Sequence, residues 1–282
     1  MNVKLASCLH KNEDMPVTMK FNVVSACINA SLTYGCEAWG STPLNKIEAL
    51  QRKALKMVLG VSKNAANDIV YVESGFEMLK PMICKRQLKF YQKMLKDSEE
   101  KPTSPIAVII KEAIRRNVTF IRHYKKLHEQ FQTPNQCFKQ LNNELKTQRT
   151  VKFEQCHAAD KDSILGTYKR INPTLTTSPL YQGVCCFERG RTIITRYRMG
   201  CHKLKIQSGR FGEEEGDRTV RLCICGESIQ TIEHALFFCP LTENVRNTHN
   251  LVGETLDSFF NSDNFIRTST VLRTIEKIYG ID

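Results

Sequence analysis

The chain has 282 residues, 41% of them hydrophobic, so it can build a real core and wholesale disorder is excluded. Its formal net charge is +12, from 41 Lys and Arg against 29 Asp and Glu. That excess suits a polyanionic partner, nucleic acid above all, because neutralising phosphates releases counterions; a soluble basic protein with no such partner is the plain alternative.

Twelve cysteines would permit a disulfide framework, but their placement is irregular. Cys8, Cys27, Cys36, Cys84, Cys137 and Cys156 are scattered singly, the usage of a reducing compartment. Met1 to Asp14 mixes charges with short apolar runs and does not read as a secretory signal. The longest later apolar run, Pro105 to Ile110, is far too short to cross a bilayer. The expectation is an intracellular protein, nuclear or cytoplasmic, with no membrane partner.

In chain order, residues 1–100 read as helices. Pro16 suits a first helical turn, and Phe21, Val24, Ile28 and Leu32 then share one helix face. Thr42-Pro43 predicts a cap and an N1 proline for the next helix. Leu44, Ile47, Leu50, Ala54 and Met57 form its stripe, and Gly60 stops it. A short segment from Asp68 to Gly75 follows. Pro81 opens a long helix with Ile83, Phe90 and Met94 on one side and Lys85, Arg86, Lys89, Lys93 and Lys96 elsewhere.

Residues 101–180 form a middle region. Asp97 to Pro105 predicts a break. Ile106, Ile109, Ile110 and Ala113 predict one helix, Phe120, Tyr124, Leu127 and Phe131 a second, and Phe138, Leu141 and Leu145 a third. Basic residues from Arg115 to His128 interleave with Phe120 and Tyr124, but the shared face of those aromatics favours core packing over base stacking. Residues 146–168 carry no clear pattern. Asn172 to Pro179 reads as a loop leading into a C-terminal module, residues 181–282.

That module opens with a predicted helix, Glu188 to Met199, whose apolar stripe is Ile193, Ile194 and Tyr197. Arg189 and Arg196 lie a heptad apart on one flank, and Arg191 and Arg198 on the other. His202, Lys203, Lys205 and Arg210 continue the charge, interrupted by the acidic insert Glu213 to Asp217. The expected nucleic-acid contacts are Arg189, Arg191, Arg196, Arg198, Lys203, Lys205 and Arg210; a solvated helix flank is the plain alternative. Leu241 to Leu251 and Phe259 to Tyr279 read as closing helices.

The most specific motif lies between. Cys223-Ile-Cys225, His234 and Cys239 read C-x-C-x8-H-x4-C. Three thiols and an imidazole supply the full ligand set of a structural Zn²⁺ site, which leaves no open position for a reacting water. The first pair is one residue tighter than the usual C-x2-C. Gly226 suits a chain turning back around a metal, Thr231 a cap for a short helix carrying His234, and Pro240 its stop. Three buried free thiols beside a core histidine remain the alternative. Cys185-Cys186 and Cys201-His202 match no knuckle spacing.

Tyr34-Gly-Cys-Glu-Ala-Trp39, Ile47 to Lys53, Leu59-Gly60 and Val72 to Gly75 together resemble the thumb region of non-LTR (LINE-type) retrotransposon reverse transcriptases. Arg196-Tyr-Arg-Met-Gly200, Gly209-Arg210 and the Cys/Cys/His/Cys cluster ending Phe238-Cys239-Pro240 resemble the zinc-binding C-terminal segment of the same proteins. Residues 101 to 179 carry little of the likeness. The chain departs from that family in having no Asp-Asp pair, whereas the polymerase palm needs paired carboxylates for its metal ions. An N-terminal endonuclease domain, which many members of that family carry, is likewise not expected among these residues. The resemblance therefore implies the C-terminal part of such a polymerase, as a decayed element, a partial gene model or a recruited host protein.

The expected architecture is mainly α: a thumb-like helical bundle followed by a helical C-terminal segment with a small zinc knuckle. The expected function is RNA or DNA binding, with an intact retroelement polymerase as a further candidate partner. The alternative is a helical interaction or structural module in which zinc only stabilises the fold. No catalytic residues are expected, since no G-x-S-x-G, P-loop, H-E-x-x-H or paired-carboxylate motif appears.

Overall fold

The computed structural model describes residues 15–39, 44–181, 188–208 and 218–281. Thr42-Pro43, Cys8, Cys185-Cys186, the acidic insert and Arg210 lie outside the described residues, as does the side chain of Ile106. The described residues are mainly helical, and their one β-type pairing is an isolated antiparallel bridge between Leu222 and Ile229. No helix among them is long and apolar enough to cross a membrane.

The chain divides into two compact units that interleave along the sequence. One takes the described residues of Met1–Val23, Arg52–Gly75 and Thr150–Asp282; the other takes Val24–Gln51 and Phe76–Arg149. In chain order the α-helices are α1 (Val17–Val23), α2 (Ala30–Thr33), α3 (Cys36–Trp39), α4 (Asn45–Leu59), α5 (Asn67–Ser74), α6 (Leu79–Glu100), α7 (Pro105–Arg115) and α8 (Thr119–Gln130). They continue with α9 (Pro134–Ala159), α10 (Ile164–Ile171), α11 (Glu188–Arg198), α12 (Lys205–Ser208), α13 (Glu243–His249), α14 (Leu256–Phe260) and α15 (Phe265–Tyr279).

In the unit built on residues 24–51 and 76–149, α6 is the spine. Its buried arc runs through Ile83, Gln87, Leu88, Tyr91 and Met94. Phe90 is exposed, because at about 100° per residue it falls just past the edge of that arc. Cys84 and Leu88 pack on Leu127, Phe131 and Cys137. Tyr91 and Met94 pack on Ile110, Ile121 and Tyr124, with Phe120 against the same cluster, so these aromatics serve the core. The break after α6 is short, and Ser104 begins α7 by accepting the Ala107 N–H with Pro105 at the first turn. Ile109 is exposed, and Ala107 and Ile110 face inward instead.

In the same unit, Leu50 is exposed while Glu48 and Gln51 are buried. Hydrophobic spacing alone places Leu50 inside because it cannot register a buried polar face. Glu48 Oε1 accepts the Lys80 backbone N–H at 3.2 Å, which satisfies an orphan donor in the first turn of α6. Gln51 Nε2 donates to the Glu77 carbonyl at 3.2 Å.

In the other unit, α11 packs along α15 and α10 along α14. The unpatterned stretch 146–168 contains the end of α9 and the start of α10. Phe153 and Tyr168, both fully buried, meet there with ring centroids 5.5 Å apart. Gly60 ends α4 with φ +71°, as the sequence requires, and a Cβ there would come within 2.9 Å of the Thr192 side chain. That close approach brings α11 against the end of α4.

A candidate metal centre and its basic flank

One ligand atom from each of Cys223, Cys225, His234 and Cys239 lies within 4.8 Å of the others, so the group can hold a metal ion. Each part of the local chain contributes to this. The Leu222–Ile229 bridge closes a small loop, and the Cys223 N–H donates to the Ser228 carbonyl at 2.8 Å. Inside that loop the Gly226 N–H donates to the Cys223 carbonyl at 2.9 Å, making a tight turn. Gly226 sits at φ +81°, a conformation that glycine adopts without strain. This turn lets two thiols separated by a single residue face one point.

The second half of the ligand set sits on a π-turn. Thr231 Oγ1 accepts the His234 N–H at 3.0 Å, capping the start as expected. The helical segment His234–Phe238 is of π type, and the Cys239 N–H reaches the His234 carbonyl at 2.7 Å. In a regular α-helix, residues five apart point about 140° away from each other. The wider π-turn brings His234 and Cys239 onto one side. Pro240 then ends the segment. The Thr242 hydroxyl donates to the Ala235 carbonyl at 2.8 Å, and Arg246 Nη1 donates to the Cys239 carbonyl at 2.6 Å. These bonds fix the ligand backbone from behind.

Cys223 Sγ and Cys239 Sγ are 3.7 Å apart, which is contact and not a disulfide. Cys225 Sγ and His234 Nε2 are 3.3 Å apart. Burial pushes the Cys223 thiol up to about 11. Burial pushes Cys225 the same way, but the Glu227 and Ser228 amides and the neighbouring thiols outweigh it and hold Cys225 low. Burial also lowers His234, which favours the neutral imidazole that a metal needs. Tyr279, at the end of α15, places its hydroxyl 3.8 Å from Cys223 Sγ. Nothing in the motif signals this tyrosine, which lies far downstream of the last ligand.

The basic residues expected to touch nucleic acid fall into different environments. Arg189 and Arg196 are exposed on one side of α11, and together with Lys203 they line one cleft. Lys205 is half-buried on α12 and lies away from that cleft. Arg191 and Arg198 are 1% exposed, so they are not surface contacts. Position 191 is about 200° around the helix from position 189, and that second flank packs inward.

The two buried arginines are spent on internal partners. Arg191 makes a forked pair with Glu188, at 2.8 Å from Nε and 2.5 Å from Nη2. It also donates to the Val58 and Leu59 carbonyls at 3.1 and 3.4 Å, among the last carbonyls of α4, which have no helical partner. Arg198 donates to Glu73 Oε1, to the Phe260 carbonyl and to Asn261 Oδ1 at 2.9, 3.2 and 2.9 Å. Arg196 does both jobs, since its Nε donates to the Gly60 carbonyl at 3.1 Å while the side chain stays exposed.

No family model, curated protein or solved structure matches the chain.

Proposed function

We propose that the chain is a nucleic-acid-binding module whose tail is pinned by one structural Zn²⁺, and that it derives from the C-terminal part of a LINE-type reverse transcriptase. The observation that carries the metal reading is the donor set: three thiols and one imidazole are brought within 4.8 Å of one another. A tetrahedral zinc with Zn–S near 2.3 Å has S···S edges of about 3.8 Å and S···N edges of about 3.5 Å. The Cys223–Cys239 and Cys225–His234 separations, 3.7 and 3.3 Å, are close to two of those edges, and the whole set lies within 4.8 Å. Three thiolates and one imidazole complete the shell, so the ion holds shape and carries out no chemistry.

The nucleic-acid reading is supported by what surrounds the ligands. Phe238, immediately before Cys239, is 65% exposed, and an exposed aromatic ring offers a face on which an unpaired base can stack. Arg189, Arg196 and Lys203 supply cations on the same unit. The test is a binding series on the full chain with a single-stranded RNA and a single-stranded DNA across a range of salt. The expected result is an affinity that falls steeply with salt and drops after zinc is removed. Affinity for neither strand in low salt would overturn the reading.

A second reading is a protein-interaction module in which the ion only stabilises the fold. The exposed Ile224, Phe238 and Leu241, each within two residues of a ligand in the sequence, favour it, because exposed apolar side chains suit a protein partner. Binding to a protein that persists in high salt and in the presence of competitor polyanion would select this reading.

A further inference from the structure

Solvent reaches the four ligands of the metal centre unequally. Cys223, His234 and Cys239 are 3%, 6% and 0% exposed. Cys225 is only half-buried, and Ile224, Gly226, Glu227 and Ser228 around it are all exposed. A Cβ built at Gly226 would meet nothing within 4 Å, so open space adjoins the turn that carries Cys225. The centre is closed on three ligands and open at one thiol.

That asymmetry has a chemical consequence. A thiol bound to a divalent metal is deprotonated outright. The thiolate is the nucleophilic form of cysteine, and oxidation selects thiolates that solvent reaches. The Cys225 sulfur also lies no more than 4.8 Å from those of Cys223 and Cys239, so a second thiol is at hand. Cys223 is the poorer disulfide partner, because a bond across the single residue Ile224 would force the tight turn away from ordinary disulfide geometry. Cys239 comes from the other arm of the site and has no such constraint.

We infer that Cys225 is a reversible oxidation site for hydrogen peroxide, and that it forms a disulfide with Cys239 which opens the metal centre. The Cys225 thiolate attacks one peroxide oxygen, the O–O bond breaks, and the departing hydroxide takes a solvent proton to become water. Cys225 is left as a sulfenic acid. The Cys239 thiolate then attacks the Cys225 sulfur, the S–O bond breaks, and a second hydroxide leaves and is protonated to water. Two thiolates are oxidised to one disulfide, and one peroxide is reduced to two waters. Cys223 and His234 then remain as the only two ligands, half of a structural shell. The inference rests on the metal reading above and adds a means of regulating that site.

The experiment uses the full zinc-loaded chain and hydrogen peroxide, with a chromogenic chelator too weak to strip the untreated chain. Parallel samples contain dimedone, which traps sulfenic acids. Cleavage after Glu227 and Glu233 separates Cys223 and Cys225 from Cys239, and fragmentation in the mass spectrometer tells the first two apart. The expected result is one zinc released for each Cys225–Cys239 disulfide formed, with dimedone on Cys225 before any other ligand. Dithiothreitol and added zinc should restore both the thiols and the bound metal.

A first dimedone adduct on Cys223 or Cys239, or a Cys223–Cys239 disulfide with Cys225 still a thiol, would overturn the inference. So would retained zinc and intact Cys225 at a peroxide dose that fully oxidises the exposed Cys27. These outcomes come from the unaltered chain, so no variant has to fold. If the purified chain holds no zinc before peroxide is added, the metal reading falls and this inference with it. If zinc is bound and Cys225 resists, the inference alone falls.

Discussion

The guanidinium of Arg198 and the carboxylate of Glu73 meet at 2.8 Å with both side chains fully shielded from solvent. Tyr168 adds its hydroxyl to the same carboxylate oxygen at 2.8 Å, and Asn172 in turn donates to Tyr168 at 3.0 Å. Burial works against the Arg198 charge, but Glu73 outweighs it and holds the arginine more firmly protonated. This pair joins α5 to α11 within one unit and gives Arg198 a structural role.

Removing one partner leaves the other charge buried and alone. Arg198→Met should therefore destabilise the chain by about 3–5 kcal/mol, and Glu73→Gln should act in the same direction. The double variant Arg198→Met with Glu73→Leu should recover much of that loss. Urea unfolding followed by circular dichroism reads all three. Additive losses in the double variant would mean that the two groups do not act as a pair.

The arginines of α11 should separate by function. Arg189→Ala should leave the thermal midpoint nearly unchanged, weaken RNA binding and reduce the salt slope by about one. Arg191→Ala should lower the midpoint instead, because it frees the carbonyls of Val58 and Leu59 and unpairs Glu188. Differential scanning fluorimetry beside a salt-titrated binding assay distinguishes them. The same profile from both variants would contradict the assignment of one row to the surface and the other to the core.

Much of this was legible in the sequence, with two systematic gaps. The ligand set, the Thr231 cap, the Gly226 turn and the Gly60 stop all follow from residue type and spacing, because they depend on local backbone chemistry. The inward rotation of Arg191 and Arg198 does not, since a helix wheel ranks arginine as exposed until a buried acid such as Glu73 is known to face it. Hydrophobic spacing places Leu50 and Phe90 inside for a related reason: Glu48, Gln51 and Gln87 take up part of the buried arcs. Lys20 and Tyr279 reach their sites through tertiary contacts that no local pattern encodes.

Acid should loosen the α1–α11 contact. Burial opposes the Glu188 charge, but Arg191 and Lys20 outweigh it and hold the carboxyl below its ordinary value. A carboxyl lowered in the folded state stabilises the fold above its unfolded value and loses that contribution as pH falls through its folded value. The chain should therefore lose stability below about pH 4.5. Glu188→Gln should be less stable at neutral pH and should show a shallower acid transition. A pH profile of urea midpoints identical to that of the parent would contradict this.

Tyr279→Phe removes the hydroxyl beside Cys223 without emptying the space. Hydrogen bonds to metal thiolates orient them and tune their hold on the ion. The variant should keep the fold but surrender its metal to a chelator faster, by up to about tenfold. Stopped-flow release into a chromogenic chelator measures it. Unchanged release would assign Tyr279 to packing alone.

X-ray absorption at the zinc edge, on the full chain purified without added metal, tests the metal centre most directly. The predicted result is one zinc per chain, with three sulfur ligands near 2.3 Å and one nitrogen at about 2.0–2.1 Å, collapsing in Cys225→Ser. A folded chain with no stoichiometric metal, or a shell dominated by oxygen, would contradict the account.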